Sequence, residues 1–155
     1  MNKQKLITLF ARLGARNPEQ WAKSQLGGNI SQLARFLFLR QAWKLVVSPD
    51  DRTWIQMQAN TGSSAPGSAI ISALKRLREV GASEGDLTIV VRVMQWRLLS
   101  AFCYLLDDPG DLEDEVKDIA WRLFEVNKDG EPKAVIAGLH ESVLDAEPSG
   151  REMRP

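Results

Sequence analysis

One stretch, Ser83 to Asp108, limits the folds open to this chain more than any other. From Leu87 to Leu106, fifteen of twenty residues are apolar, and they fall on every side of a 3.6-residue spiral. A helix that is apolar nearly all round is surrounded by other elements rather than lying on a surface. Ser83, with Asp86 three residues on, makes a capping-box-like start with acidic side chains at the positive end of the helix. The stretch is long enough to cross a bilayer, but Arg92, Gln95 and Arg97 sit near its middle, and each arginine there costs about 2.5–3.5 kcal/mol on insertion scales. It therefore reads as the core helix of a soluble protein with no membrane role.

The rest of the chain supplies a shell for that helix. Leu6, Ile7, Leu9, Phe10 and Leu13 carry helical spacing over about Asn2–Leu13, with Gly14 as a stop. Asn17-Pro18-Glu19-Gln20 starts a short second helix that offers Trp21, Ala22 and Leu26 before Gly27-Gly28 breaks it. A long third helix begins at Asn29-Ile30-Ser31-Gln32, is apolar on two faces, and ends where Pro49 disfavours helix at Ser48. Ser48-Pro49-Asp50-Asp51 caps a fourth, presenting Trp54, Ile55, Met57 and Ala59. Asn60–Ser68 is a polar connection and a candidate lid. A fifth helix reaches Val80, with Ile70, Ile71, Leu74, Leu77 and Val80 on one face and Lys75, Arg76 and Arg78 opposite. After Pro109-Gly110, Leu112, Val116, Ile119, Ala120 and Leu123 make the cleanest amphipathic pattern in the chain and predict another helix. Leu123–Val126 and Ala134–Ala137, joined by a turn through Asp129-Gly130, predict a small β-hairpin, and Gly138–Leu144 a last helical turn. There is no internal repeat, heptad array or second-domain boundary. The expected fold is mainly α: a compact single-domain helical bundle around a buried central helix (about 84–106), with a small C-terminal β-hairpin. The domain spans 1–147, and 148–155 is an irregular tail.

A chain of 155 residues is about one domain long and can bury a core without metals or disulfides. Its one cysteine, Cys103, cannot form an internal disulfide and reads as a small buried hydrophobe in a reducing compartment. Lys3, Lys5, Arg12 and Arg16 precede the first acidic residue, Glu19, in the manner of a transit peptide. Arg12 follows directly on the short apolar run Leu6–Ala11, so an ordinary first helix is the reading. A cytoplasmic location is expected.

Charge is balanced overall but not along the chain. Residues 1–78 hold twelve Lys/Arg against three Asp/Glu, and residues 79–155 eight against seventeen. Such polarity marks either a basic surface for nucleic acid or two halves of one domain that neutralise each other.

Catalytic signatures are missing: there is no phosphate loop, dinucleotide fingerprint or nucleophile elbow. One histidine and one cysteine cannot assemble a zinc site of the usual type, and no cofactor is indicated. His140-Glu141 lacks the second histidine of H-E-x-x-H, leaving a lone base with a carboxylate or a packing role. Glu125–Glu131 superficially resembles a calcium loop, but Ile136 stands at the twelfth position, where a bidentate Glu is required. Asp107 and Asp108 follow the C-terminus of the central helix, where the macrodipole disfavours acid. They therefore cap a turn, accept an arginine, meet a partner or hold a hard cation. Thr88, Arg92 and Gln95 form one polar stripe on the central helix. An arginine there must reach solvent, pair with a carboxylate or line a cleft.

Five tryptophans complete the candidates, because Trp and Arg are favoured at interfaces. Trp43, Trp96 and Trp121 lie in strong apolar patterns and are expected in the core. Trp21 and Trp54, on weakly apolar helices, are expected at the surface. The candidate partner-binding set is Arg92, Gln95, Asp107, Asp108, Trp21, Trp54 and His140. In size and class the chain is similar to bacterial toxin-neutralising immunity proteins and to regulatory adaptors, a likeness that transfers no residues. The expected function is a non-enzymatic module that binds a protein partner. The alternatives are a nucleic-acid-binding domain using the basic N-terminal half and a metal-dependent helical enzyme around Asp107/Asp108. Nothing in the sequence fixes an oligomeric state.

Overall fold

The structure, a computed structural model, describes residues 1–60, 62 and 64–154. The expected loop over Asn60–Ser68 includes Thr61 and Ser63, which lie outside the described residues, as do Pro155 and the side chain of Ala59. The fold is mainly α, with a two-stranded antiparallel hairpin near the C-terminus. In chain order the elements are α1 (Lys3–Arg12), α2 (Pro18–Gly27), α3 (Gln32–Trp43), α4 (Thr53–Ala59), α5 (Ala69–Glu79), α6 (Glu84–Asp107), β1 (Leu123–Val126), β2 (Pro132–Ile136) and α7 (Leu139–Ser142), followed by a 3-10 turn over Leu144–Ala146. The chain divides into two compact units, one of residues 1–44 and 98–155, the other of residues 45–97.

In the first unit, Asn2 caps α1 by accepting the Lys5 backbone N–H at 3.0 Å. α1 and α2 meet α3 through an aromatic cluster. Phe10 stacks on Trp21 at 5.9 Å between ring centroids, and both meet Phe36 edge-on at 5.7 and 5.2 Å. Leu6, Ala15 and Ala22 complete this core. Trp21 is thus a core residue, not the surface aromatic its short helix suggests. One large ring on a helix with few other apolar residues still has to be covered, and Phe10 and Phe36 cover it. Along α3, the buried residues Gln32, Phe36, Leu39 and Trp43 recur at helical spacing. Trp43 Nε1 donates to the Val143 carbonyl at 2.8 Å, which ties α3 to the C-terminal segment.

The hairpin joins this unit by its edge. Leu123 pairs with Ile136 and Phe124 with Val135, and Val135 also bridges Ile30 in parallel. The Glu125 carboxylate accepts from Lys133 Nζ at 2.8 Å and from Ser31 Oγ at 2.5 Å. Together these bonds hold its pKa below the ordinary glutamate value. Gly138, at φ +70°, follows β2, and a Cβ there would lie 2.5 Å from Arg35 Nη1. That guanidinium donates to the carbonyls of Ala137 and Gly138 at 3.1 and 3.4 Å and lies over the Trp21 ring at 5.1 Å. Burial lowers the Arg35 pKa, against the raising influence of Glu141, Asp107 and Asp145.

In the second unit, Asp51 receives the Thr53 N–H at 2.7 Å and so starts α4. Trp54, Ile55 and Leu74 form the core with Val47, Ile70, Leu87 and Val91 packed against them. Trp54 is 7% exposed, and its Nε1 donates to Thr88 Oγ1 at 2.9 Å. It too is a core residue, because Thr88 satisfies the indole N–H that would otherwise favour the surface.

α3 stops at Trp43, short of the end expected at Ser48 before Pro49, and two further expectations are corrected. Residues 111–122 are not helical. Asp111, Asp114, Glu115 and Asp118 would stack like charges at i+3 and i+4, which opposes the helix that the apolar spacing favours. The second correction concerns α6. The capping box forms as read, with the Asp86 N–H on Ser83 Oγ at 3.0 Å, and the helix is continuous. It is not a buried centre, however: only 11% of its most apolar 18-residue window is buried. Neither of the neighbours expected for it, α3 and a helix over 112–123, packs extensively along it.

The last residues, although irregular, are tied down. Arg16 donates to the Gly150 carbonyl at 2.9 Å and the Leu144 carbonyl at 2.8 Å, and pairs with Glu152 at 3.2 Å. Glu147, 2% exposed, accepts from Ser149 and from the Arg151 backbone N–H. Arg16→Ala is expected to lower stability by about 1–3 kcal/mol, the usual worth of hydrogen bonds to a charged group, and to open residues 147–154 to limited proteolysis. Proteolytic resistance equal to wild type would contradict this anchoring.

Candidate functional site

The polar stripe of α6 faces inward. Arg92 is 8% exposed and Thr88 fully buried. Arg92 Nη1 donates to the Val47 carbonyl, and Gln95 Oε1 accepts the Val47 backbone N–H at 2.8 Å. Val47 lies in the irregular stretch between α3 and α4, where helical partners for its backbone are missing. Two side chains one turn apart on α6 thus satisfy both polar groups of one residue. Thr88 extends the same stripe, receiving Trp54 and donating to its own helix at Glu84 O, 2.8 Å away. The structure therefore brings Arg92 and Gln95 together on Val47.

Asp107 and His140 form a second pair, in the first unit. His140 Nδ1 lies 2.7 Å from Asp107 Oδ2, and the same oxygen accepts the His140 backbone N–H at 3.0 Å. Asp107 is 7% exposed and His140 37%, with Tyr104 edge-on to the imidazole at 5.3 Å. With Nδ1–H donating to the carboxylate, Nε2 carries the free lone pair, the tautomer that an oriented general base requires. Among the described residues no nucleophile joins the pair. Cys103, one turn before Asp107, is fully buried, and burial together with the Asp107 charge pushes its thiol up to about 11. It stays protonated at neutral pH and is unsuited to nucleophilic attack. Asp108 turns away to accept the Gly110 N–H at 2.9 Å, an Asx turn. The evident work of Asp107 is to hold the start of α7 against the end of α6. Among the described residues, no three His, Cys, Asp or Glu side chains are grouped as metal ligands.

A groove of about 440 Å³ in the second unit has Ile55, Ile71 and Leu74 in its lining and Lys75, Arg78 and Glu79 beside them. Glu79 lies 4.0 Å from Lys75, and Glu84 lies 3.2 Å from Arg78. The groove therefore offers cations already matched by carboxylates. It contains none of the sequence-predicted residues.

The feature that sequence reasoning missed is the opposite face of α6. Val90, Met94, Leu98, Phe102, Tyr104 and Leu105 are 44–61% exposed. At 100° per residue they fall on one arc of about 160°, together with Ala101 and the exposed Arg97. The signal was present, because turning the Thr88–Arg92–Gln95 stripe inward sends all of these outward except Phe102, which lies at the edge of the arc seven residues after Gln95. Trp121, read as core, is 37% exposed, as its Nε1 donates to the Leu105 carbonyl at the end of α6. No family model matches this chain, and comparison with curated proteins and with solved structures finds no significant match.

Two outcomes follow from this geometry. Arg92→Met keeps the bulk but leaves the Val47 carbonyl short of a donor. It should lower unfolding free energy by about 1–3 kcal/mol, read by chemical denaturation, and an unchanged midpoint would refute the clamp. The Cys103 thiol should resist alkylation at neutral pH in the folded chain and react in denaturant. Equal rates in the two states would contradict its burial.

Proposed function

We propose that this chain is a protein-interaction module, of the kind that neutralises or regulates a partner, and that its contact surface is the outward arc of α6. The single observation that carries this reading is an apolar face on a 24-residue helix along which no other element packs extensively. Six side chains left about half exposed, at roughly 100 Å² apiece for residues of this size, amount to about 600 Å². That is the upper end of the largest apolar patch a typical monomer exposes, and such patches are often interaction sites.

The charge distribution weighs against the nucleic-acid alternative. Residues 1–44, with eight Lys/Arg and one Asp/Glu, share the first unit with residues 98–155, with six and fourteen. Pairs such as Arg16 with Glu152 neutralise within that unit. A metal-dependent reading draws little support from Asp107 and Asp108, since Asp107 Oδ2 serves His140, Asp108 Oδ1 serves Gly110, and the buried, unpartnered Asp107 Oδ1 has no group of further His, Cys, Asp or Glu ligands about it among the described residues.

A benzophenone photo-cross-linker placed at position 102, compared with one at exposed Gln56, tests the proposal in cells. Protein adducts are expected at 102 in large excess over 56. Equal adducts at both positions, or a substrate turnover abolished by His140→Ala, would overturn it.

A further inference from the structure

We infer that the occupant of the outward arc of α6 is a second copy of this chain, paired antiparallel helix to helix. The inference rests on the reading of that arc as a contact surface. All the residues concerned belong to one uninterrupted helix, so their common face is set by helical geometry.

Three observations carry it. First, Met94, Leu98, Ala101 and Leu105 are spaced 4, 3 and 4 apart, the seam of a helix pair. Leu87 and Val91 continue the spacing toward the N-terminus but pack on the core of the second unit, so the free seam runs from Met94 to Leu105. Second, the area fits. The five exposed side chains between Met94 and Leu105 offer about 500 Å² per copy, more than half of the roughly 800 Å² each partner contributes to a standard interface.

Third, the side chains match themselves in one direction only. An antiparallel pair centred between Leu98 and Ala101 sets Leu98 against the partner's Ala101 and Met94 against the partner's Leu105, large against small and long against branched. It also places exposed Arg97 on the same flank as the partner's exposed Tyr104, where a guanidinium over an aromatic face is favourable. A parallel pair would instead set Leu98 against the partner's Leu98, Ala101 against the partner's Ala101, and acidic ends against acidic ends.

Lipid is a poorer occupant. α6 passes the length and hydropathy test for a span, but its buried face holds Thr88, Arg92 and Gln95 in hydrogen bonds to Trp54 and Val47 outside the helix. Insertion across a bilayer would strip those bonds. Lying in the interface is also disfavoured, since the helix ends carry Glu84, Asp86 and Asp107 where interfacial helices carry Lys and Arg.

The test uses the full chain. Sedimentation equilibrium at tens of micromolar should give twice the 17.3 kDa chain mass, falling to one chain on dilution. Leu98→Asp should give one chain throughout, with unchanged helix content by circular dichroism. To keep the test independent of how well Leu98→Asp folds, Leu98→Cys and Ala101→Cys are also made, Cys103 being buried. Under mild oxidation each alone should stay uncross-linked, and an equimolar mixture should give a disulfide-linked dimer. Cross-linking of Leu98→Cys with itself would overturn the antiparallel pairing. A single-chain mass at every concentration, with no cross-link in the mixture, would overturn self-association altogether. In that case position 102 decides separately on the wider reading: photo-adducts to a different chain preserve the contact surface, and no adducts remove it.

Discussion

Val47 sets the orientation of α6. Where α3 has ended and α4 has not begun, the Val47 backbone needs both a donor and an acceptor, and α6 delivers them through Arg92 and Gln95. A buried backbone polar group without a partner costs as much as a lost hydrogen bond, so this requirement outweighs the usual rule that a helix turns its apolar side inward. Once the two polar side chains face Val47, and Thr88 faces Trp54, rotation about the helix axis is fixed. Val90, Met94, Leu98 and Leu105 then have nowhere to point but outward.

The same logic of satisfied polar groups explains the other side chains that looked functional. Asp107 holds the first turn of α7 through His140, Asp108 closes its own Asx turn, and Trp54 gives its indole N–H to Thr88. Each is a polar or amphipathic residue in an unusual sequence context, and each is explained by a backbone or side-chain group that lacked a partner. Function is then sought in what the fold leaves uncovered.

Much of the fold was legible. Caps and breakers such as Asn2, Pro18, Asp51, Ser83 and the Asp129-Gly130 turn act over three or four residues, so the sequence contains both partners, and the elements they start or turn lie where these signals place them, although α3 ends at Trp43, well before Pro49. Orientation was not legible, because it depends on partners far apart in the chain. Arg92 and Gln95 were singled out as a stripe, but nothing local reveals that Val47 would need them. Trp21 was judged by its own short helix, whereas its cover comes from Phe10 and Phe36. Over 111–122 two local signals disagreed, apolar spacing against stacked carboxylates, and the spacing was given too much weight. The exposed apolar arc was hidden for a related reason: a helix apolar all round looks buried until one knows which side its few polar residues must face.

Oxidative footprinting tests the central claim, polar stripe inward and apolar arc outward, most directly. Hydroxyl radicals are applied to the chain at a dilution where it sediments as a single copy, and oxidation is read residue by residue. Met94, 60% exposed, should oxidise about as fast as Met57 at 69%, and Phe102 and Tyr104 should be modified, while Trp54 and Cys103 are protected. Protection of Met94, Phe102 and Tyr104 in the single chain, at the level of Trp54, would contradict the account, because α6 would then be turned with its apolar arc inside.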